Sequence, residues 1–129
     1  MKTESTVYIL SKQFALSIIK LYKFLTEEKH EYIMSKQIYR SGTSIGANFA
    51  ESKFASSRAD YLNKMRIALK EANETLYWLE VLRESDYIKS KEFDSLSNDL
   101  KTIIGTTVNI INKVKENNKI IITQIESKE

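Results

Sequence analysis

Proline is absent from this chain of 129 residues, and glycine occurs only three times, at Gly42, Gly46 and Gly105. These two residue types break helices and shape tight β turns, so a chain this poor in them points to long helices. Its length suits one domain over residues 1–129 around a single core. Cysteine is absent as well, which removes disulfides, thiolate metal sites and cysteine nucleophiles, and makes a reducing cytoplasm the expected location. The first five residues carry Glu4, and the segment after them is interrupted by Lys12, Gln13 and Lys20, unlike the apolar stretch of a signal peptide. No run approaches the roughly 18 apolar residues of a membrane span, so no membrane partner is expected.

Apolar periodicity divides the chain into four helices, over about residues 6–27, 35–54, 58–85 and 91–116. Val7, Leu10, Phe14, Ile18, Leu21 and Leu25 recur at steps of three or four, the period of one helix face. Ser35 is a plausible N-cap for a second helix carrying Ile38, Ile45 and Phe49. Ser57 caps a third, with Asp60 in its first turn in an arrangement close to a capping box. In that helix Leu62, Met65, Leu69, Ala72, Leu76 and Leu79 form a heptad-like seam. After a further cap at Ser90, the residues Phe93, Leu96, Leu100, Ile103, Thr107, Ile110 and Val114 repeat the stepping, with Ile104, Val108 and Ile111 widening the face. Short links between such helices favour an all-α, antiparallel up-down-up-down four-helix bundle. Beyond Asn117-Asn118, the stretch Lys119-Ile-Ile-Ile-Thr-Gln-Ile either prolongs the fourth helix, covers an apolar patch or pairs with another chain.

Two stretches stand out. One is Ser44-Ile45-Gly46-Ala47-Asn48-Phe49-Ala50-Glu51; the other runs from Ala68 to Leu79 (ALKEANETLYWL), with Ser57, Asp60 and Lys64 before it. At this separation they resemble the bacterial four-helix-bundle proteins, also called 23S rRNA intervening-sequence proteins, over roughly Phe14 to Lys113. The resemblance implies a ribosomal-protein-like four-helix bundle that commonly forms a ring of five, without an established biochemical activity; the residues themselves offer no catalytic, cofactor or metal site. A related branch, the accessory variability proteins of diversity-generating retroelements, is similar in fold and binds a reverse transcriptase and nucleic acid through basic surfaces. That role ranks second here, because the net charge of +3 is modest.

Gly42, Gly46 and Ala50 lie four apart and form a stripe along which another backbone can approach. Two glycines inside a helix cost about 1 kcal/mol each against alanine, so a packing return is expected. The return is close packing within one subunit, a subunit contact or the approach of a ligand. Asn48 and Glu51 follow as polar groups to be satisfied within the bundle, with Arg40, Lys64 and Lys70 as possible partners of the carboxylate. Tyr77 and Trp78 present too much apolar area to be left wholly in water, so core or subunit interface must cover them.

Charge is uneven along the chain. Residues 35–70 hold seven bases against two acids, whereas residues 71–99 hold three against eight. In an up-down-up-down bundle Lys53, Arg58, Lys64, Arg66, Lys113, Lys115 and Lys119 gather at one pole, and Glu80, Glu84, Asp86, Glu92 and Asp94 at the other. A basic pole could attract the phosphates of RNA or DNA without reading bases. It could equally be a solvated surface, or help to orient subunits head to tail.

Catalytic readings find little support. Glu27-x-x-His30 matches one half of a di-iron ligand pattern, but His30 is the only histidine, so the second half cannot exist. Glu71-x-x-Glu74 is similar to the magnesium carboxylates of all-α nucleotide pyrophosphohydrolases, yet no Glu-x-x-Asp follows at suitable spacing, and helix-surface or interface charge is the better reading. The Arg-x(4 to 6)-His motif of helical toxin ribonucleases also fails, because no arginine precedes His30. The expectation is a non-enzymatic homo-oligomer, a pentamer by resemblance, with RNA, DNA or another protein as partner.

Overall fold

The structure, a computed structural model, describes residues 2–127, and the side chains of all of these except residues 2–5 and 118. Four helices make it up: α1 Lys2–Glu27, α2 Met34–Ser52, α3 Arg58–Glu84 and α4 Ser90–Ser127. No strand occurs among the described residues. Residues 1, 128 and 129, the ends of the single domain drawn from sequence, lie outside them. No helix among the described residues is long and apolar enough to cross a membrane.

The helices pack in a cycle, α1 on α2, α2 on α3, α3 on α4 and α4 back on α1, and the diagonal pairs do not approach each other closely. The first two sequential pairs, α1 with α2 and α2 with α3, run in opposite directions where their side chains meet. Along the first pair Tyr39 meets Tyr22 at a tilt, Gly42 faces Ile18, Gly46 faces Ser11 and Lys53 covers the Tyr8 ring. Along the second, Glu51 meets Lys64 and Ser41 meets Thr75.

The core holds Phe14, Ile18 and Leu25 from α1, Ile38 and Ile45 from α2, Met65, Leu79 and Leu82 from α3, and Leu100 and Ile103 from α4, all at 2% exposure or less. Burying each such side chain contributes about 1.5–3 kcal/mol. In α3 the seam residues Leu62, Met65, Ala72 and Leu79 are buried as expected, but the buried face leans toward Ala68 and Thr75 and away from Leu69 and Leu76. Ala68 and Thr75 are fully buried, while Leu69 and Leu76 are only partly buried against the core. The smaller residues let α2 approach, and the Thr75 hydroxyl lies 2.9 Å from that of Ser41. Val108, counted as widening the face of α4, is 36% exposed.

With no glycine or proline in the links, other residues make the turns. Asp86 takes a left-handed conformation with φ 65°, and the Tyr87 and Asp86 amides donate to the Leu82 and Arg83 carbonyls at 2.9 and 3.2 Å, a Schellman closure. His30, with φ 52°, also takes a left-handed conformation after α1, where the Glu31 amide donates to the Leu25 carbonyl six residues back, a wider closure than the Schellman motif.

The start of α2 departs from expectation. Ser35 is not its N-cap; the cap position is Ile33, whose side chain makes no capping bond. Instead the Glu31 carboxylate accepts from the amides of Ile33, Met34 and Ser35 at 3.1, 3.1 and 2.7 Å, and the Ser35 hydroxyl donates back to the Glu31 carbonyl. Ser57 does cap α3, accepting from the Asp60 amide at 3.0 Å, while the Asp60 carboxylate accepts from the Ser56 amide. Ser90 is itself the first residue of α4. The segment past Asn117 prolongs α4 to Ser127, one of the three outcomes left open by the sequence.

Candidate functional site

The glycine stripe of α2 faces inward. A Cβ at Gly42 would lie 2.8 Å from Cγ1 of Ile18, and one at Gly46 would lie 3.3 Å from the Ser11 hydroxyl and 3.5 Å from its backbone. Gly42, Gly46, Ile18 and Ser11 are all buried. The close approach is therefore between α1 and α2 of one subunit. Ala50, next along the stripe, is half-buried. Asn48 is satisfied locally, its Nδ2 donating to the Ser44 carbonyl at 2.8 Å. Glu51 reaches across to α3 and pairs with Lys64 at 2.8 Å, and this hydrogen bond holds the Lys64 ammonium above its usual pKa.

The α2–α3 face carries the densest polar network. Arg40 on α2 forks between Glu71, at 3.2 Å, and Glu74 on α3. Its hydrogen bond to Glu74 is the main reason the guanidinium lies above its ordinary pKa. Trp78 Nε1 donates to the same Glu74 carboxylate at 3.2 Å. The Trp78 ring is partly buried against the core, and Tyr77 meets it edge-on with centroids 5.0 Å apart. Tyr77 itself is 56% exposed, so this chain alone leaves it in water. Both rings and both carboxylates stand out in the sequence, but neither the sharing of Arg40 by the two carboxylates nor the bond from Trp78 to one of them does. Sequence spacing gave no register between α2 and α3.

The Glu71 and Glu74 carboxylates are thus turned to Arg40 and the indole. Glu27 and His30 are exposed at the end of α1, with His30 Nδ1 3.2 Å from the Tyr32 hydroxyl. Among the described residues no three His, Asp or Glu side chains come together as a metal ion would need.

The seven basic residues do not form one uniform patch. Lys53 sits 3.8 Å over the Tyr8 ring, and Lys64 is paired with Glu51. Arg58 and Arg66 are exposed on α3, Lys113 on α4 near the end of the bundle, and Lys115 and Lys119 on the part of α4 that projects beyond it. Of the acids expected at the opposite pole, Asp86 and Glu92 line one cleft together with Lys20, Lys29, Lys89 and Lys91. The cleft, of about 790 Å³, has an apolar floor including Leu21, Phe24 and Ile88.

Family profiles and solved structures both contain proteins similar to this chain. The profile described as 23S rRNA-intervening sequence protein matches residues 3–109. A crystal structure from Bacteroides thetaiotaomicron VPI-5482, of a protein with unknown function from the S23 ribosomal protein family, is 51% identical with a TM-score of 0.84, the match covering 85% of this chain and 98% of that one. No curated protein matches.

Proposed function

We propose, on the premise that this chain belongs to the 23S rRNA-intervening sequence protein family, that it is a non-enzymatic cytoplasmic protein that assembles with copies of itself, as a ring of five, and offers a basic surface to RNA or DNA. The self-assembly reading is carried by apolar surface left over once the bundle is complete. Ile9 and Leu16 lie seven residues apart on one outward face of α1 and are 54% and 56% exposed, and Tyr77 on α3 is 56% exposed. Aromatic and aliphatic side chains of this kind favour interface centres over open water. The glycine stripe does not supply that contact, because α1 of the same subunit fills it.

The nucleic-acid half of the reading is supported by Arg66, Lys113, Lys115 and Lys119, exposed and without a carboxylate partner among the described residues. Such side chains can release counterions from a phosphate backbone without reading bases. The non-enzymatic reading is supported by the engagement of Glu71 and Glu74 with Arg40. Titration of labelled single-stranded RNA and duplex DNA at two salt concentrations tests the binding. Affinity that falls as salt rises is expected; absence of binding at the lower salt overturns it.

A further inference from the structure

The burial of α4 ends before the helix does. Its last buried residues are Ile110 and Ile111, and Val114 still packs against the core. Lys115, Glu116, Asn117 and residues 119–127 are all exposed. This overhang stands about 18 Å past the bundle at 1.5 Å per residue, and it lies beyond the family profile, which ends at residue 109.

The apolar seam that binds α4 into the bundle nevertheless continues along it. Ile121 follows Val114 by seven residues and Ile125 follows by four more, on the same side of the helix, with Ile122 at its edge. These three isoleucines are 44%, 55% and 56% exposed in the order Ile121, Ile122, Ile125. The segment is also a poor helix on its own account. Asn117, Asn118 and the β-branched run from Ile120 to Ile122 all rank low in helix propensity, and isolated helices below about 12–15 residues are marginal even for good formers. A helix here therefore calls for something to cover its stripe, and none of the described residues does so.

We propose that residues 115–127 pair with the same segment of a second copy of this chain through Ile121, Ile122 and Ile125. A seam stepping by three and four fits another helix with the same stepping, and the identical stripe on a second copy provides it. Charge agrees with an antiparallel pair. Lys115 and Glu126 are eleven residues, about three turns, apart and flank the same edge of the stripe, so each lysine is set against the partner's glutamate. A helix this short buries far less than the roughly 800 Å² per partner of a standard interface. The contact is therefore weak between free subunits and effective between assemblies that each present several overhangs, and for that strength it rests on the self-assembly reading above.

The absence of cysteine allows a direct test. In the full chain, Ile121→Cys places one thiol on the stripe and Thr123→Cys places one about 200° around the helix, facing away. A disulfide requires Cα atoms within about 7 Å. Under mild oxidation with a glutathione couple, Ile121→Cys is expected to form a covalent pair of twice the 15.0 kDa chain mass, at least about tenfold faster than Thr123→Cys. Equal rates, or no cross-linking of either, overturn the proposal. Light scattering of the same variants kept reduced separates the two readings. A large mass without selective cross-linking removes the overhang contact alone, and selective cross-linking with a reduced mass of one or two chains removes the ring alone.

Discussion

The Cβ that Gly42 lacks would lie 2.8 Å from Cγ1 of Ile18, a side chain with no exposed surface. That distance separates Gly42 from Gly46, which the sequence places alike on one stripe, and both differ from Gly105. At Gly42→Ala, overpacking typically worth about 1–3 kcal/mol exceeds the roughly 1 kcal/mol gained in helix propensity, so the protein is destabilised. At Gly46 the nearest atom is the Ser11 hydroxyl at 3.3 Å, and the two effects nearly cancel. At Gly105 nothing lies within 4 Å, and alanine stabilises by about 0.5–1 kcal/mol. Urea unfolding of the three variants should return that order.

Glu31 governs the entry into α2. Burial pushes its carboxyl pKa up, but the three backbone amides of Ser35, Met34 and Ile33 outweigh that, and the group lies below its usual range. A carboxylate depressed in the folded state stabilises the protein fully above its unfolded pKa of about 4.3, and that stability is lost as pH falls through the lower folded value. Glu31→Gln is expected to lower stability at pH 7 by about 1–2 kcal/mol, the scale of a lost helix cap. It should also flatten the decline in stability measured between pH 5 and 3.

Arg40 links Glu71 and Glu74, and Trp78 shares the latter. The Arg40 side chain is 49% exposed, so solvent screens the pair and its coupling with Glu74 should be no more than about 1 kcal/mol. A double-mutant cycle on Arg40→Met and Glu74→Gln reads this coupling. Because Trp78 is the only tryptophan, its emission reports the loss of the indole's acceptor, shifting in a Glu74→Leu variant and much less in the Arg40→Met variant.

If Lys113, Lys115 and Lys119 each neutralise a phosphate, changing all three to Gln should reduce the slope of log K against log salt on duplex DNA by about 2.7. Affinity at low salt should fall with it. A slope unchanged from wild type would remove these lysines from the binding surface.

The helices were legible from sequence because few residues in this chain oppose helix formation and the apolar steps are long and regular. Ser57 and Asp60 at the start of α3 were legible for the same local reason. Glu31 was not, because it caps from two residues before the cap position, outside the spacing by which caps are recognised. The turn of the α3 face toward Ala68 and Thr75 was hidden too. It depends on how closely α2 approaches, which the apolar pattern of α3 alone does not encode. The same limit kept Arg40 apart from Glu71, Glu74 and Trp78, since pairing across helices needs a register. The left-handed turns at His30 and Asp86 gave no signal, because glycine is the residue expected there.

The account depends most on the apolar surface of Ile9, Leu16 and Tyr77 being covered by other copies of the chain. Light scattering of the purified full-length protein at micromolar concentration measures that directly. A mass several times the 15.0 kDa of the chain, fivefold for a ring of five, is predicted. A mass of 15.0 kDa at every concentration tested would contradict it.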